Sequence, residues 1–190
     1  MKIGVLAIQG AVREHVTALQ KCGVDVACVK KAEQFAALDG LVIPGGESTT
    51  IGKLLVRFSL VEPILQLIAQ GKAVYGTCAG LILLATRVEG REQFLLAGMD
   101  ISVARNAFGR QRESFEQELS IPVLGKEPFP AVFIRAPLIK SYGSKVQVLA
   151  RCNDEIVAAR QDNLLVSAFH PELTDDVRMH SYFVGMAKGN

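Results

Sequence analysis

Three short stretches carry residues able to do chemistry: PGGEST at 44–49, YGTCAG at 75–80 and AFHPE at 168–172. In the second, Cys78 has Gly76 two residues before it and Gly80 two residues after it. That G-x-C-x-G spacing mirrors the nucleophile elbow, where paired glycines let a strand turn sharply into a helix and leave the central side chain exposed. A sulfur just ahead of a helix also meets unpaired amide N–H groups and the positive end of the dipole, surroundings that favour a reactive thiolate. The ordinary alternative is a small buried apolar side chain. That role is expected of Cys22, Cys28 and Cys152.

A nucleophilic thiol needs a base, and the base needs a group to orient it. The chain has three histidines. His15 and His180 have polar neighbours in sequence and are expected on solvated helix faces. His170 ends an apolar run and is followed by Pro171 and Glu172. In extended chain, residues i and i+2 point to the same side, so His170 and Glu172 stand together. Glu172 then accepts the Nδ1–H of His170 and leaves Nε2 for the thiol, the logic of a catalytic triad. The third stretch supplies backbone donors: Gly45 and Gly46 expose N–H groups of the kind an oxyanion hole uses. Read structurally, the same stretch is a tight turn with Ser48 or Thr49 capping the next helix.

These residues need a frame, and the first half of the chain provides one. Near-continuous apolar runs at 2–8, 24–29, 41–44 and 72–77 have strand length. They alternate with helical patterns: Val12, Val16 and Leu19; Ile51, Leu54, Leu55 and Phe58; a helix opened by Pro63; and AGLILLAT at 79–86. Strands of this kind separated by helices predict a mostly parallel sheet with helices on both faces, a three-layer α/β arrangement. Ligands then sit beyond the carboxyl ends of the strands. The second half changes style. Alternating patterns at 99–105 and 115–121, with further strands at 155–160 and 164–169, predict an antiparallel part. A last helix is expected from Thr174, with Asp175 and Asp176 in its first turn. Neither repeats nor a linker interrupt the 190 residues, so one domain over 1–190 is expected.

Composition narrows the function classes. The 21 basic and 19 acidic side chains leave a net charge of +2, which gives no electrostatic case for nucleic acid or membrane surfaces. No apolar run approaches the ~18 residues of a membrane span. The four cysteines are irregularly spaced, without a C-x-x-C pair or a histidine cluster, so neither metal nor disulfides are expected. A reducing, cytoplasmic setting is the expectation.

The three stretches, in this order, resemble the class I (triad) glutamine amidotransferases, whose flavodoxin-like fold agrees with the α/β reading. Within that family the opening GVLAIQG, the Glu-Ser-Thr after the glycines and RNAFGRQRESFE at 105–116 look like the glutaminase subunits of pyridoxal 5′-phosphate synthases. The resemblance implies hydrolysis of L-glutamine to glutamate and ammonia, without a cofactor. Cys78 is the implied nucleophile, His170 the proton shuttle and Glu172 its support, with a γ-glutamyl thioester between. Gly46 and Ala79 are the implied oxyanion donors. Gly46, Glu47, Ser48, Arg105, Ile134 and Arg135 are the implied glutamine site, with Arg105 at the α-carboxylate. The implied partner is a (β/α)8-barrel synthase, with Gln9 near its interface and the peptide between Gly45 and Gly46 reorienting when it binds. The glutaminase of imidazole glycerol phosphate synthase shares this chemistry, but the Glu-Ser-Thr and the AIQG opening argue against it. A non-catalytic binding module on the same fold would not need Cys78, His170 and Glu172 together.

Overall fold

The structure is a computed structural model that describes residues 1–90, 92–105 and 114–189. The apolar runs form β1 (Lys2–Leu6), β2 (Asp25–Val29), β3 (Gly40–Ile43) and β4 (Ala73–Thr77). Together with β12 (Leu164–Ser167) they pair in parallel, in the order β2-β1-β3-β4-β12. Every residue of β3, β4 and β12 is buried, which accounts for their unbroken apolar character.

Five helices accompany these strands among the described residues: α1 (Val12–Lys21), α2 (Ser48–Arg57), α3 (Val61–Ala69), α4 (Ala79–Leu84) and α5 (Arg178–Lys188). They cover both faces of the sheet. Tyr75 of β4 meets Phe183 of α5, with ring centroids 5.7 Å apart. Its neighbour Gly76, on the opposite side of the pleat, is pressed against Gly80 of α4.

The antiparallel part extends the sheet through β11 (Glu155–Gln161), β9 (Leu138–Tyr142), β6 (Met99–Ala104) and β5 (Ala85–Val88), with β10 (Gln147–Cys152) also paired to β11. Of these, β5 and β6 run parallel to each other. A separate hairpin joins β7 (Ser114–Leu119) to β8 (Phe129–Ile134). It reaches the main sheet where the His170 N–H donates to the Val132 carbonyl at 2.8 Å.

Several boundaries differ from the sequence expectation. Helix α3 begins at Val61, so Pro63 lies within its first turn rather than opening it. Helix α4 stops at Leu84, and Ala85 and Thr86 already belong to β5. Helix α5 begins at Arg178 instead of Thr174, because Asp176 accepts the Arg178 backbone N–H and guanidinium just ahead of it. Phe58 lies past the last turn of α2 and is exposed, although Ile51 and Leu55 face the core as expected. Cys28, expected inside, is exposed on the edge strand β2; Cys22 is half-buried and Cys152 buried.

Candidate active site

In a sheet ordered β2-β1-β3-β4, the chain leaves β1 and β3 in opposite lateral directions, and their carboxyl ends frame a crevice. The loops that follow these strands lie against each other there. A Cβ on Gly10 would collide with the Gly45 carbonyl oxygen, and that oxygen accepts the Ala11 N–H at 3.3 Å. Gln9 Oε1 accepts the Glu47 N–H at 3.0 Å. A cleft of about 440 Å³ opens at this edge, within the roughly 300–1,000 Å³ range of small-molecule sites. Gly45, Gly46, Cys78, Arg105, Ile134 and His170 are among its walls.

Cys78 sits where β4 becomes α4, with φ 47° and ψ −98°, a strained conformation for a side chain other than glycine. The flanking glycines make this corner possible. A Cβ on Gly76 would stand 2.5 Å from the carbonyl carbon of Gly80, and a Cβ on Gly80 would collide with the Ile43 carbonyl oxygen. The Cys78 N–H donates to the Ser167 carbonyl at 2.8 Å, tying the corner to the end of β12. Cys78 is 8% exposed and lines the cleft, and its sulfur lies 4.0 Å from the Ile134 carbonyl oxygen. Ala79 begins α4, so its N–H has no acceptor within the helix.

His170 and Glu172 follow β12 and come together as expected, but through a 3-10 turn over Pro171–Leu173 rather than through extended chain. The ring Nδ1 is 2.8 Å from Glu172 Oε1, and since a carboxylate only accepts, Nδ1 carries the proton. Burial disfavours charge on His170, but the adjoining Cys78 sulfur and Glu172 carboxylate outweigh it and push its pKa up to about 10. Glu172 is buried as well. Burial alone would raise it, yet the bond from the charged His170 ring holds it below the usual carboxylate range. An imidazolium between a sulfur and a carboxylate is the charge arrangement that nucleophilic thiol chemistry uses.

At the opposite wall, the helix cap differs from the sequence expectation. Glu47 caps α2, accepting the N–H groups of Thr49 and Thr50 at 3.1 and 2.7 Å, while Ser48 is the first helical residue. Burial opposes the charge on Glu47, but the Thr50 hydroxyl and these N–H donors hold its pKa to about 2. Arg105 points one nitrogen at Glu47 (3.2 Å) and another at Gln93 and Thr49 (3.0 and 3.3 Å). Gln93 also accepts from the Ser48 hydroxyl at 3.1 Å. Gln93 carries no signal in the sequence, because it lies in an irregular stretch without periodicity. Ile134 and Arg135 close the cleft from the end of β8, and Arg135 has φ 44°. The remainder of the 105–116 motif, residues 106–113 with Arg110 and Arg112, lies outside the described residues.

The largest departure concerns the other two histidines. His15 and His180, expected in solvent, are both fully buried. His15 Nδ1 is 2.9 Å from His180 Nε2, and His15 Nε2 is 3.1 Å from Thr77 Oγ1 and 3.4 Å from Glu172 Oε2. No group of histidine, cysteine and acidic residues placed to hold a metal ion occurs among the described residues. Nor, among them, is any helix long and apolar enough to cross a membrane.

The chain is similar to known proteins over nearly its whole length. The profile of the SNO glutamine amidotransferase family matches residues 5–188. A relative from Carboxydothermus hydrogenoformans named pyridoxal 5′-phosphate synthase subunit PdxT is 59% identical, over 97% of this chain and 96% of its own. Another of that name, from Pelotomaculum thermopropionicum, is 60% identical over 97% and 94%. A crystal structure of a glutamine amidotransferase superposes with TM-score 0.93 at 46% identity, covering 98% of both chains. A chain of the PurLQS structure from Thermotoga maritima shares the fold alone, with TM-score 0.69 and 14% identity over 97% of each.

Proposed function

On the premise that this chain belongs to the SNO glutamine amidotransferase family, we propose that Cys78, His170 and Glu172 hydrolyse the side-chain amide of L-glutamine. The chain is a glutaminase of the pyridoxal 5′-phosphate synthase type, as relatives sharing nearly three-fifths of its sequence are named. The Cys78 sulfur attacks the amide carbon and forms a tetrahedral intermediate. Collapse of that intermediate breaks the C–N bond, and the His170 imidazolium gives its proton to the departing ammonia. Water then attacks the γ-glutamyl thioester with neutral His170 as base, releasing glutamate and restoring the thiol. Glu172 keeps Nδ1 protonated throughout and steadies the charged ring.

The single observation that carries this reading is the convergence of Cys78 and His170 on one cleft, with Glu172 hydrogen-bonded to the ring behind it. The N–H groups of Gly46 and Ala79 are assigned to the oxyanion, an interaction typically worth about 3–4 kcal/mol per donor. Arg105 receives the α-carboxylate, for which its planar fork is suited. Glu47, Ser48, Ile134 and Arg135 complete the glutamine site.

The ammonia passes to a (β/α)8-barrel synthase subunit, with Gln9 near the interface. The contact between the Ala11 N–H and the Gly45 carbonyl is the one a reorientation of the peptide between Gly45 and Gly46 would break. A reducing compartment, the cytoplasm, suits a mechanism that depends on a thiol. Glutamate release from glutamine, measured with and without the synthase, tests the assignment. Activity should require Cys78 and rise with the partner. Turnover by a Cys78→Ala chain, or equal turnover with and without the synthase, would refute the corresponding part.

A further inference from the structure

We infer that His15 is a positioning residue for Glu172: backed by His180, it presents its Nε2–H to the outer oxygen of the carboxylate and fixes the plane from which Glu172 orients His170. The inference rests on the triad reading above and extends it by two residues.

The argument begins from burial. Helices α1 and α5 pack together beside β4 and bring His15 and His180 into the interior, each fully buried. Polar groups in such a place persist when each finds a partner. Glu172 uses Oε1 for His170, and its Oε2 has no hydrogen-bond partner. His15 Nε2 lies 3.4 Å from this oxygen and 3.1 Å from Thr77 Oγ1.

The tautomers follow from counting protons. Burial lowers the pKa of both His15 and His180, so both rings are neutral at neutral pH and each carries one proton. If His15 held its proton on Nδ1, it would donate to His180 Nε2. His180 would then carry its own proton on Nδ1, an atom that meets no polar partner. Nε2 of His15 would also turn a lone pair toward the Glu172 carboxylate. The opposite assignment gives both ring N–H groups a partner. His180 donates Nε2–H to His15 Nδ1, and His15 keeps its proton on Nε2, facing Thr77 and Glu172. On the two rings, only an acceptor, His180 Nδ1, is left bare, and orphaned acceptors are better tolerated than orphaned N–H groups.

Around this cluster the Glu172 and Glu14 carboxylates favour positive charge on His15, and burial outweighs them. The His170 charge opposes ionisation of His15 and so favours its neutral form. On the α5 side, the Tyr75 ring lies edge-on to His180 at 6.3 Å, and its hydroxyl is engaged by Ser167. The result is a directed chain from His180 through His15 to Glu172, met from the other side by His170.

The test is the protonation site itself. In the intact chain labelled with nitrogen-15 histidine, the three ring systems are assigned with His15→Gln and His180→Gln. At pH 7 the spectra should show His15 and His180 neutral and protonated on Nε2. A proton on His15 Nδ1 would overturn the proposal. This readout needs no glutamine turnover, so it stands apart from failure of the glutaminase reading. With the synthase present, His15→Leu should lower kcat about tenfold, the effect of losing one hydrogen bond to a charged group, with KM for glutamine changed less than about twofold. His15→Gln, whose amide N–H can reach the carboxylate, should recover most of that loss. Equal loss in the two variants would also overturn the proposal. If neither variant folds, the tautomer in the unaltered protein decides, with the signals assigned through His170→Ala and His180→Gln.

Discussion

Gly45 lies so close to His170 that a methyl group on it would stand 2.5 Å from Cε1 and 3.0 Å from Nδ1 of the ring. The same methyl would be 3.4 Å from Cys78 Cβ. Glycine is therefore required here by space. The loop after β3 sets how near the imidazole and the sulfur can come.

The first prediction follows directly. In Gly45→Ala the ring must shift, and it can shift only by abandoning its place beside Cys78 or its bond to Glu172. Glutaminase kcat in the presence of the synthase should fall at least about a hundredfold, as when a near-attack geometry is lost. Crowding of this kind typically costs about 1–3 kcal/mol, so the variant should still fold. Activity within a few-fold of the unaltered protein would mean that the ring is not held as described.

Glu172→Gln separates orientation from mere polarity. The amide keeps the shape of the carboxylate but not its charge, and it can accept from His170 Nδ1 only through its oxygen. The His170 imidazolium loses its counter-charge, and kcat should drop by about 10²–10⁴. KM for glutamine should stay within a few-fold, because Glu172 is buried behind His170 and does not line the cleft. Steady-state kinetics with the synthase in excess gives both values, and a pure KM effect would contradict the assignment.

How much of this was legible beforehand depended on whether a residue's role is set locally. The strands β1, β3 and β4 announced themselves because burial on both faces demands unbroken apolar runs. The Cys78 corner was legible because glycines at two-residue spacing have few other reasons to flank a cysteine. The pairing of His170 with Glu172 was legible from their spacing, but not the backbone that achieves it: extended chain was expected, and Pro171–Leu173 instead form a 3-10 turn. His15 and His180 were not legible. Arg13 and Glu14 on one helix, and Ser181 on the other, suggest solvent, and only the packing of α1 against α5 removes the water. Gln93 was hidden for a related reason: it is brought to Arg105 and Ser48 by the path of a segment that has no repeat of its own.

Arg105 is the case where geometry suggests a division of labour. Gln93 and Thr49 hold one terminal nitrogen of its guanidinium and Glu47 the other, which fixes the plane of the fork proposed to receive the substrate carboxylate. Arg105→Lys keeps the charge and loses the planar bidentate geometry, so it should behave more like Arg105→Ala than like the unaltered protein. KM for glutamine should rise about tenfold or more in both, in line with loss of a charged hydrogen-bonded pair. If the lysine variant binds glutamine normally, Arg105 supplies only charge.

The buried histidines also predict acid sensitivity. In the unfolded chain His15 and His180 take up protons as the pH falls through 6.5; in the folded chain burial lowers both, His180 to about 3. Between these limits the unfolded state binds more protons, so folding stability falls by about 1.4 kcal/mol per pH unit for each such histidine. Glu172, lowered in the fold, acts with the same sign below its ordinary 4.5: its contribution is present above that value and fades as it is protonated. His170 has the opposite sign but acts mainly outside this window: its contribution is complete below 6.5 and is lost between 6.5 and about 10, so it offsets the others only above 6.5. Urea unfolding of the isolated chain should therefore show a steep loss between pH 7 and 5, and His180→Leu should lessen the slope. Equal stability at pH 7 and pH 5 would mean that these rings already share solvent in the folded state, and the hydrogen-bonded chain to Glu172 would fail with them.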